Sequence, residues 1–134
     1  MELRYSDTHI FTKEQLETLF LSVGWSSGAY PEKLVKSMQG FQTVYSAWDG
    51  GSVVGMVCAM DDGVMNAYVH YLLVHPDYQD KAIGRTLMEK IKEHYKDYLR
   101  ICLIAYNNEL HFYENCGFHK ADESSPMHLT SLWT

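Results

Sequence analysis

The chain has 134 residues, of which 46% are hydrophobic and 21% charged, and these fractions are typical of an ordinary globular domain. A chain of this length buries roughly two-thirds of its unfolded surface without metal or disulfide support, so we expect one domain over residues 1–134 and no room for a second. The formal charge of −6 disfavours nucleic acid as a partner, because most of the surface repels a phosphate backbone.

The cysteines and the apolar runs predict the compartment. Cys58, Cys102 and Cys116 are an odd number without a C-x-x-C pair, which disfavours a disulfide framework or a zinc ribbon and favours a reducing cytosol. The N-terminus lacks a signal-peptide pattern, and the apolar runs are too short to span the roughly 30 Å hydrocarbon core of a membrane. We therefore expect a cytoplasmic protein without a membrane partner.

The first third of the chain predicts a strand and two helices. Residues 3–6 form a candidate strand, and Thr12 with Gln15 makes a capping box for a helix that ends near Gly24. Pro31 suits the first position of a short second helix, which Gly40 ends.

The middle of the chain predicts a strand-rich unit. Runs 43–48 and 52–60 are rich in strand-forming residues, and the intervening Asp49-Gly50-Gly51 is a strong hairpin signal. Residues 65–74 hardly alternate in polarity, as expected of a strand covered on both faces at the sheet centre. Apolar residues at four-residue steps then predict a helix over 83–97.

The last third predicts a strand over 101–105, a short helix over 109–115, and a terminal pair of strands from Phe118 onward and over 128–133. The element order predicts an α/β (α+β) fold. Its central sheet is mixed but mostly antiparallel, with about four helices at its faces. Exposed C-terminal strands such as 128–133 are able to pair or swap between chains, which is compatible with a homodimer.

The turn between the central strand and the long helix carries the clearest functional signal. Lys81 and Arg85 lie at the start of the helix, where the positive end of the helix dipole makes a cation unfavourable. An anion bound there reverses that sign, so the turn is a candidate phosphate site. The alternative is an ordinary turn whose cations are neutralised by Asp77 and Asp80.

Two segments resemble the GNAT superfamily of acyl-CoA-dependent N-acyltransferases. The run Gln79-Asp80-Lys81-Ala82-Ile83-Gly84 is similar to the family's Gln/Arg-x-x-Gly-x-Gly/Ala signature, which follows a strand and opens a helix. The run Phe112-Tyr113-Glu114-Asn115-Cys116-Gly117-Phe118 resembles the family's late F-Y-E-x-x-G-F segment. The two lie in the right order, one strand-helix-strand unit apart, and the element order resembles the family over nearly the whole chain.

The resemblance implies acetyl-CoA as co-substrate and no metal. Backbone amides of the loop would bind the pyrophosphate, and the pantetheine arm and the acetyl carbonyl would meet the edge of the preceding strand. The implied cofactor-binding residues are Leu72, Leu73, Val74, Gln79, Asp80, Lys81, Ala82, Ile83, Gly84 and Arg85, with Asn107 and Asn108 as further contacts in a shifted register.

One departure from the family pattern falls inside the loop. The family usually has glycine where this chain has Ala82, and alanine does not take positive φ freely. Either the methyl group weakens cofactor binding, or the loop uses an α-compatible geometry that tolerates it.

The resemblance also implies a role for Tyr113, which in the family donates a proton to the departing thiolate. From the residues alone, Tyr113 is equally a buried ring that packs the last helix beside Phe112 and Phe118. An acceptor amine also needs a base, and the candidates are His70, His111 and acidic residues at the strand ends. A core histidine is the alternative reading of His70.

The acceptor side is suggested by position. Trp25 and Tyr30 lie between the first two helices, where relatives build the mouth of the acceptor pocket, and they offer aromatic walls for an amine. They serve equally well to pin the loop to the core. Cys116 raises the question of an acyl-cysteine route, but no adjacent His-Asp arrangement supports it. The histidine spacings predict no metal site.

The sequence thus predicts an N-acetyltransferase. It would move an acetyl group from acetyl-CoA to a primary amine, with a small molecule as the expected acceptor, by direct attack in a ternary complex. The alternative is a non-catalytic acyl-CoA-binding or protein-interaction module that kept the fold.

Overall fold

The computed structural model describes residues 2–134. Within this range the strands are β1 (Leu3–Ser6), β2 (Thr43–Asp49), β3 (Ser52–Asp61), β4 (Asn66–Val74) and β5 (Arg100–Leu103). The α-helices in the same range are α1 (Lys13–Ser22), α2 (Pro31–Gly40), α3 (Ile83–His94) and α4 (Leu110–Asn115). Short 3-10 turns cover Ser26–Ala29, Pro76–Tyr78 and Asn107–Glu109.

The turn and cap signals of the sequence are confirmed. Thr12 and Gln15 form both hydrogen bonds of the capping box at the start of α1. Pro31 is the first residue of α2. Gly50, between β2 and β3, has a φ of 59°, which glycine adopts without strain.

The strands form one mixed sheet in the order β1-β2-β3-β4-β5. Neighbours pair antiparallel except β4 and β5, which run parallel, as expected of a strand-helix-strand unit. Helices α1 and α2 pack on one face around Leu16, Phe20 and Met38. Helix α3 packs on the other face through Ile83, and its close approach depends on Gly55, where an added Cβ atom would lie 2.7 Å from the Ile83 side chain.

A β-bulge interrupts β4 at His70; this strand lies beside β3, which is the central strand, so the predicted central position of residues 65–74 is wrong. Tyr71 pairs with Cys58 and Val69 with Ala59, so His70 is the extra residue of β4. The bulge reverses which side of the sheet alternate residues face: Val69 packs against α3, whereas Tyr71 packs against the α1 and α2 face. As a result, Val69 and Tyr71, two positions apart on the same strand, pack on opposite faces of the sheet.

Strands β4 and β5 pair over only part of β4. The ladder joins Asn66–Val69 to Arg100–Leu103, and β5 then ends while β4 continues to Val74. The second half of β4 is thus unpaired on its β5 side, and a cavity lies there.

The structure corrects the C-terminal elements. The long helix ends at His94 rather than Asp97, since 3-10 bonding and turns follow. The terminal pair of strands is wrong, because residues 118–134 contain no strand. In the described range β5 pairs with β4 alone, so the C-terminal segment adds no strand at this edge of the sheet. A homodimer built on those strands stays a prediction without structural support.

The end of this segment is held by hydrogen bonds instead of a ladder. Thr134 accepts a bond from the Ser27 amide through its backbone oxygen at 2.8 Å and from the Ser26 amide through its hydroxyl at 2.8 Å. The Ser27 hydroxyl bonds both the Thr134 backbone oxygen at 2.9 Å and the Tyr71 hydroxyl at 3.0 Å. These contacts fix Trp133 and Thr134 across the mouth of the α1–α2 loop, beside β4. No helix among residues 2–134 is long and apolar enough to cross a membrane.

Candidate active site

A cavity of about 440 Å³ occupies the gap between the unpaired half of β4 and the residues that follow β5. Its floor includes Leu72 and Val74, and its opposite wall includes Ile104 and Tyr106. This volume is in the usual range for small-molecule sites, which are roughly 300–1,000 Å³.

Two backbone amides of β4 point into the gap. The His75 amide bonds the Val54 carbonyl at 2.8 Å, toward β3. Because backbone groups of alternate residues point to the same side of a strand, the Leu73 amide also faces β3, whereas those of Leu72 and Val74 face the open edge. The side chain of Gln79 supports this assignment, since it donates to the Val74 carbonyl at 3.1 Å from the open side. The edge therefore offers Leu72 and Val74 for a ligand, and Leu73 contributes no amide.

The turn before α3 offers a second set of donors. The amides of Gln79 and Lys81 already bond the carbonyls of Pro76 and Tyr78. Ile83, Gly84 and Arg85 form the first turn of α3, where amides have no acceptor within the helix. The free donors of the loop are thus concentrated at the helix start.

Charge around the turn suits an anion. Lys81 is 3.8 Å from Asp80, and no carboxylate within the described range forms an ion pair with Arg85. Asp80 thus offsets part of the charge of Lys81, as the ordinary-turn alternative expects, and the positive character of the α3 turn comes chiefly from Arg85 and the first-turn amides.

Ala82 adopts the left-handed conformation that the family's glycine provides. Its φ is 59° and its ψ 24°, and it is the one non-glycine residue with positive φ in the described range. The α-compatible alternative is therefore wrong. The conformation is held from the helix side, because the Ala82 carbonyl accepts bonds from the Thr86 amide at 3.0 Å and the Thr86 hydroxyl at 2.9 Å. A left-handed alanine costs roughly 1–2 kcal/mol.

We expect Ala82→Gly to stabilise the fold by up to about 1 kcal/mol, since the strain it removes exceeds the 0.4–1 kcal/mol of unfolded-state entropy that glycine adds. Urea unfolding measures this difference. Ala121→Gly, at an exposed residue outside helices and strands, is the matched control and should be neutral or destabilising. A loss of stability in Ala82→Gly equal to that of the control would show that the position carries no strain.

Tyr113 lies on the cavity wall and is also packed. Its ring contacts Phe112 and Phe118, with centroids 5.1 and 6.3 Å away, so the packing role and the site role coincide. Burial, followed by the nearby charges of Glu109 and Cys116, raises the pKa of Tyr113 to about 12. The hydroxyl donates to no other described residue, and it is protonated throughout the physiological range.

His70, at the bulge, lines the same cavity. It is an exposed residue rather than a core one, so the core-histidine alternative is wrong. Aromatic rings surround it: Tyr71 at 4.3 Å, Tyr68 at 5.7 Å and Phe41 at 6.1 Å between centroids. Although the residue as a whole is exposed, these rings partly desolvate the imidazole, which lowers the pKa of His70 below its usual 6.5 and keeps the ring neutral at pH 7. Neither ring nitrogen bonds another described residue.

The far end of the cavity has an aromatic wall. Trp25 and Tyr71 lie 6.0 Å apart, and Phe20 packs edge-on against both from beneath, at 6.1 and 5.0 Å. Trp133 completes this wall from the C-terminal segment. Tyr30, the other predicted aromatic, is exposed and is not among the lining residues.

The cavity gathers half of the predicted residues. Those that line it are Trp25, His70, Leu72, Leu73, Val74, Gln79, Gly84 and Tyr113. Those outside its lining are Tyr30, Asp80, Lys81, Ala82, Ile83, Arg85, Asn107 and Asn108. Of the latter, Ile83 is a core side chain, and Asn107 and Asn108 lie in the 3-10 turn before α4.

Sequence reasoning missed several lining residues. They are Val23, Tyr68, Tyr71, Ile104, Tyr106, Glu109, Phe112, Trp133 and Thr134. Glu109 had a usable signal, because it precedes Tyr113 by four residues, close to one helical turn. Trp133 and Thr134 had none, because their position depends on contacts with residues more than a hundred positions earlier.

Cys116 is buried and does not line the cavity, and burial raises the pKa of its thiol. A buried, protonated thiol is a poor nucleophile. No three His, Cys, Asp or Glu side chains within residues 2–134 converge as metal ligands do.

The profile of a known family, described as the acetyltransferase (GNAT) domain, matches residues 40–120, which is more than half of the chain. The chain belongs to the GNAT family of acetyltransferases. The matched region of this GNAT chain runs from the end of α2 past α4, so it includes β4, the loop before α3 and Tyr113.

Relatives support the same assignment. An uncharacterised N-acetyltransferase, ycf52, from Gracilaria tenuistipitata var. liui is 29% identical over 77% of the chain and 59% of its own length. The chloroplastic GCN5-related N-acetyltransferase 2 of Arabidopsis thaliana is 34% identical over 53% of the chain and 28% of its own length. The chain therefore spans less than two-thirds of these curated relatives. A solved GNAT family protein from Streptococcus pneumoniae TIGR4 matches 97% of the chain and 99% of itself, with 25% identity and a TM-score of 0.82.

Proposed function

We propose that this GNAT chain transfers the acetyl group of acetyl-CoA to the primary amine of a small molecule, by direct attack in a ternary complex. One observation carries the proposal: the open edge of β4 enters the cavity that Tyr113 and His70 also line. Hydrogen-bond donors, a proton donor and a proton acceptor then surround a single space.

The residues present fit acetyl-CoA. The first-turn amides of α3, with Lys81 and Arg85 beside them, suit a pyrophosphate. The Leu72 and Val74 amides suit the amide-rich pantetheine arm, because an unpaired strand edge seeks hydrogen-bond partners. The start of α3 lies close to α4, because a Cβ atom added at Gly84 would be only 3.3 Å from the ring of Phe112.

Acetyl-CoA supplies a thioester whose carbonyl carbon accepts a neutral amine. The neutral imidazole of His70 takes a proton from the incoming amine. A β4 edge amide donates to the carbonyl oxygen as negative charge develops there. The carbon–nitrogen bond forms and the carbon–sulfur bond breaks, and the Tyr113 hydroxyl donates a hydrogen bond to the sulfur that leaves as a thiolate.

A small acceptor and a direct route are favoured by the shape of the site. Trp133 and Thr134 close one side of the cavity, which leaves a bounded space rather than an open groove for a protein chain. An acyl-cysteine route has no support, since Cys116 is buried outside the cavity.

A second candidate function is a non-catalytic acyl-CoA-binding or protein-interaction module. The observation that favours it is Ala82, whose backbone is left-handed and whose methyl group stands in the loop where the cofactor's phosphate would approach. Release of free thiol from acetyl-CoA in the presence of amines separates the two candidates, because a module that only binds releases none.

We expect acetyl-CoA to raise the melting temperature by roughly 5–10 °C at a hundred times its Kd, since that concentration stabilises the fold by about 2.7 kcal/mol. Thermal-shift titration measures the effect. CoA should act similarly, and ATP, of comparable charge, is the control that should not.

Failure to stabilise at millimolar acetyl-CoA would contradict the proposed cofactor site. An equal shift with ATP would reduce the site to a general anion site. A shift confined to acetyl-CoA and CoA supports the proposal, and thiol release with different amines is then the next measurement.

A further inference from the structure

We infer that the acceptor is a primary amine on an apolar, preferably aromatic body that carries no carboxylate or phosphate group. This inference deepens the proposed function and rests on it. It concerns the part of the cavity next to the α1–α2 loop, which Trp25, Tyr71 and Trp133 line.

The walls of this half are preorganised and apolar. Trp25 and Tyr71 form one side, with Phe20 packed beneath them at 6.1 and 5.0 Å. The Tyr71 hydroxyl is held by Ser27, so its ring does not need to reorder when a ligand enters. Trp133 also lines the cavity, on a segment whose end is anchored by the bonds of Thr134 to Ser26 and Ser27. Flat aromatic walls favour a planar or alkyl body by contact area and also attract an ammonium group by cation–π interaction.

The charges lining the cavity exclude an anionic acceptor. No lysine or arginine is among the lining residues. The two ionisable groups other than tyrosine are His70 and Glu109, and His70 is neutral at pH 7 because burial lowers its pKa. A carboxylate or phosphate on the acceptor would therefore lose its water without gaining a cationic partner, which is unfavourable. Lys81 and Arg85 belong to the α3 turn and lie outside the lining.

Glu109 fits the same class. It is an exposed residue four positions before Tyr113 and is the one Asp or Glu residue in the lining, so its carboxylate is the side chain there that can pair with an ammonium group. An acceptor with an added negative charge meets that carboxylate as a like charge.

Two matched pairs of amines test this inference. Phenethylamine and phenylalanine differ by one carboxylate, as do hexylamine and 6-aminohexanoate. We expect kcat/KM to be at least a hundredfold higher for phenethylamine than for phenylalanine, and at least tenfold higher for hexylamine than for 6-aminohexanoate, with thiol release as the readout. Equal or better turnover of either acid would overturn the inference while leaving acetyl transfer intact.

Binding gives a readout that does not depend on turnover. Calorimetry of the CoA-bound protein with phenethylamine and with phenylalanine should show the same preference. Selective binding without any thiol release would keep the acceptor class and defeat the proposed function. Tighter binding of phenylalanine would overturn the acceptor class.

A variant locates the preference in the aromatic wall. Trp133→Ala should raise the KM for phenethylamine at least tenfold and leave the Kd for CoA unchanged. Met127→Ala is its control, because Met127 lies in the same segment but is 93% exposed and outside the cavity. Equal KM values in Trp133→Ala and wild type would show that this wall does not bind the acceptor.

Discussion

Replacing Tyr113 with phenylalanine is expected to lower kcat ten- to a hundredfold, with little change in the Kd for acetyl-CoA. The hydroxyl lines the cavity beside the open β4 edge, and the substitution removes it while keeping the ring that packs against Phe112 and Phe118. Stability should therefore change little, which separates a catalytic role from a structural one.

The expected loss is modest because of proton affinities. The pKa of Tyr113 is about 12, whereas an alkyl thiol has a pKa near 8.5. Complete proton transfer from the tyrosine to the thiolate is thus uphill by about 5 kcal/mol. Hydrogen-bond donation to the developing thiolate is the effective contribution, and its loss belongs at the low end of general acid catalysis, where factors of about a hundred are typical.

The pH dependence follows from the same value. Because burial raises the pKa of Tyr113, its proton is retained up to about pH 11, and its ionisation does not produce a falling limb between pH 6 and 10. Steady-state rates across that range, for wild type and Tyr113→Phe, measure this. Tyr5→Phe, on β1 at the opposite edge of the sheet, is the control for loss of a tyrosine hydroxyl. An unchanged kcat in Tyr113→Phe would end the assigned role.

Local signals in the sequence predict the scaffold well. The capping box at Thr12 and the Asp49-Gly50-Gly51 hairpin depend on residues within four positions of one another, so short-range chemistry determines them. The long apolar run of β4, in contrast, predicts a central strand covered on both faces, and this prediction is wrong: β3 is the central strand, while β4 lies next to the edge strand β5 and is only partly buried.

The site needed information that no local pattern carries. The bulge at His70 arises from the register of β3 against β4, and nothing in residues 65–74 indicates where the extra residue falls. Thr134 reaches Ser26 and Ser27 from 108 positions away and closes the cavity without forming a strand. The pattern of residues 128–133 favours a strand, but these residues form none, and Trp133 lines the cavity instead.

Ala82 is intermediate between these cases. The family pattern marks the position as one for glycine, and the backbone there is left-handed, as that pattern requires. The residue itself gives the opposite expectation, since alanine prefers negative φ. Tertiary geometry overrides the residue's preference here, because the turn must bring the first-turn amides of α3 to face the cavity end of β4.

His70→Gln is expected to reduce kcat/KM about a hundredfold at pH 7, because the substitution keeps a polar side chain of similar size but removes the proton acceptor. The imidazole lines the cavity at the bulge and bonds no other described residue, so its lone pair is available to an amine. Its neighbours on β4 are Tyr68 and Tyr71, Phe41 stacks on it, and Glu109 is the carboxylate in the same cavity.

The sign of the pH effect distinguishes a base from a merely structural residue. The pKa of His70 is lowered by burial, so the imidazole is neutral and active at pH 7 and becomes protonated only as pH falls below that lowered value. Wild-type activity should therefore decline on the acid side, below pH 6.5, through this ionisation. In His70→Gln that limb should disappear and the rate should follow the free-amine fraction of the acceptor alone.

Rescue at high pH completes the test. Above pH 9 a larger fraction of the acceptor amine is already neutral, so the need for a base falls and the deficit of His70→Gln should shrink to about tenfold or less. A purely structural role would instead leave the deficit constant across pH. His119→Gln, at an exposed residue outside the cavity, is the control and should match wild type at every pH. A pH-independent deficit in His70→Gln would move the base role to another group in the cavity, with Glu109 the first to test.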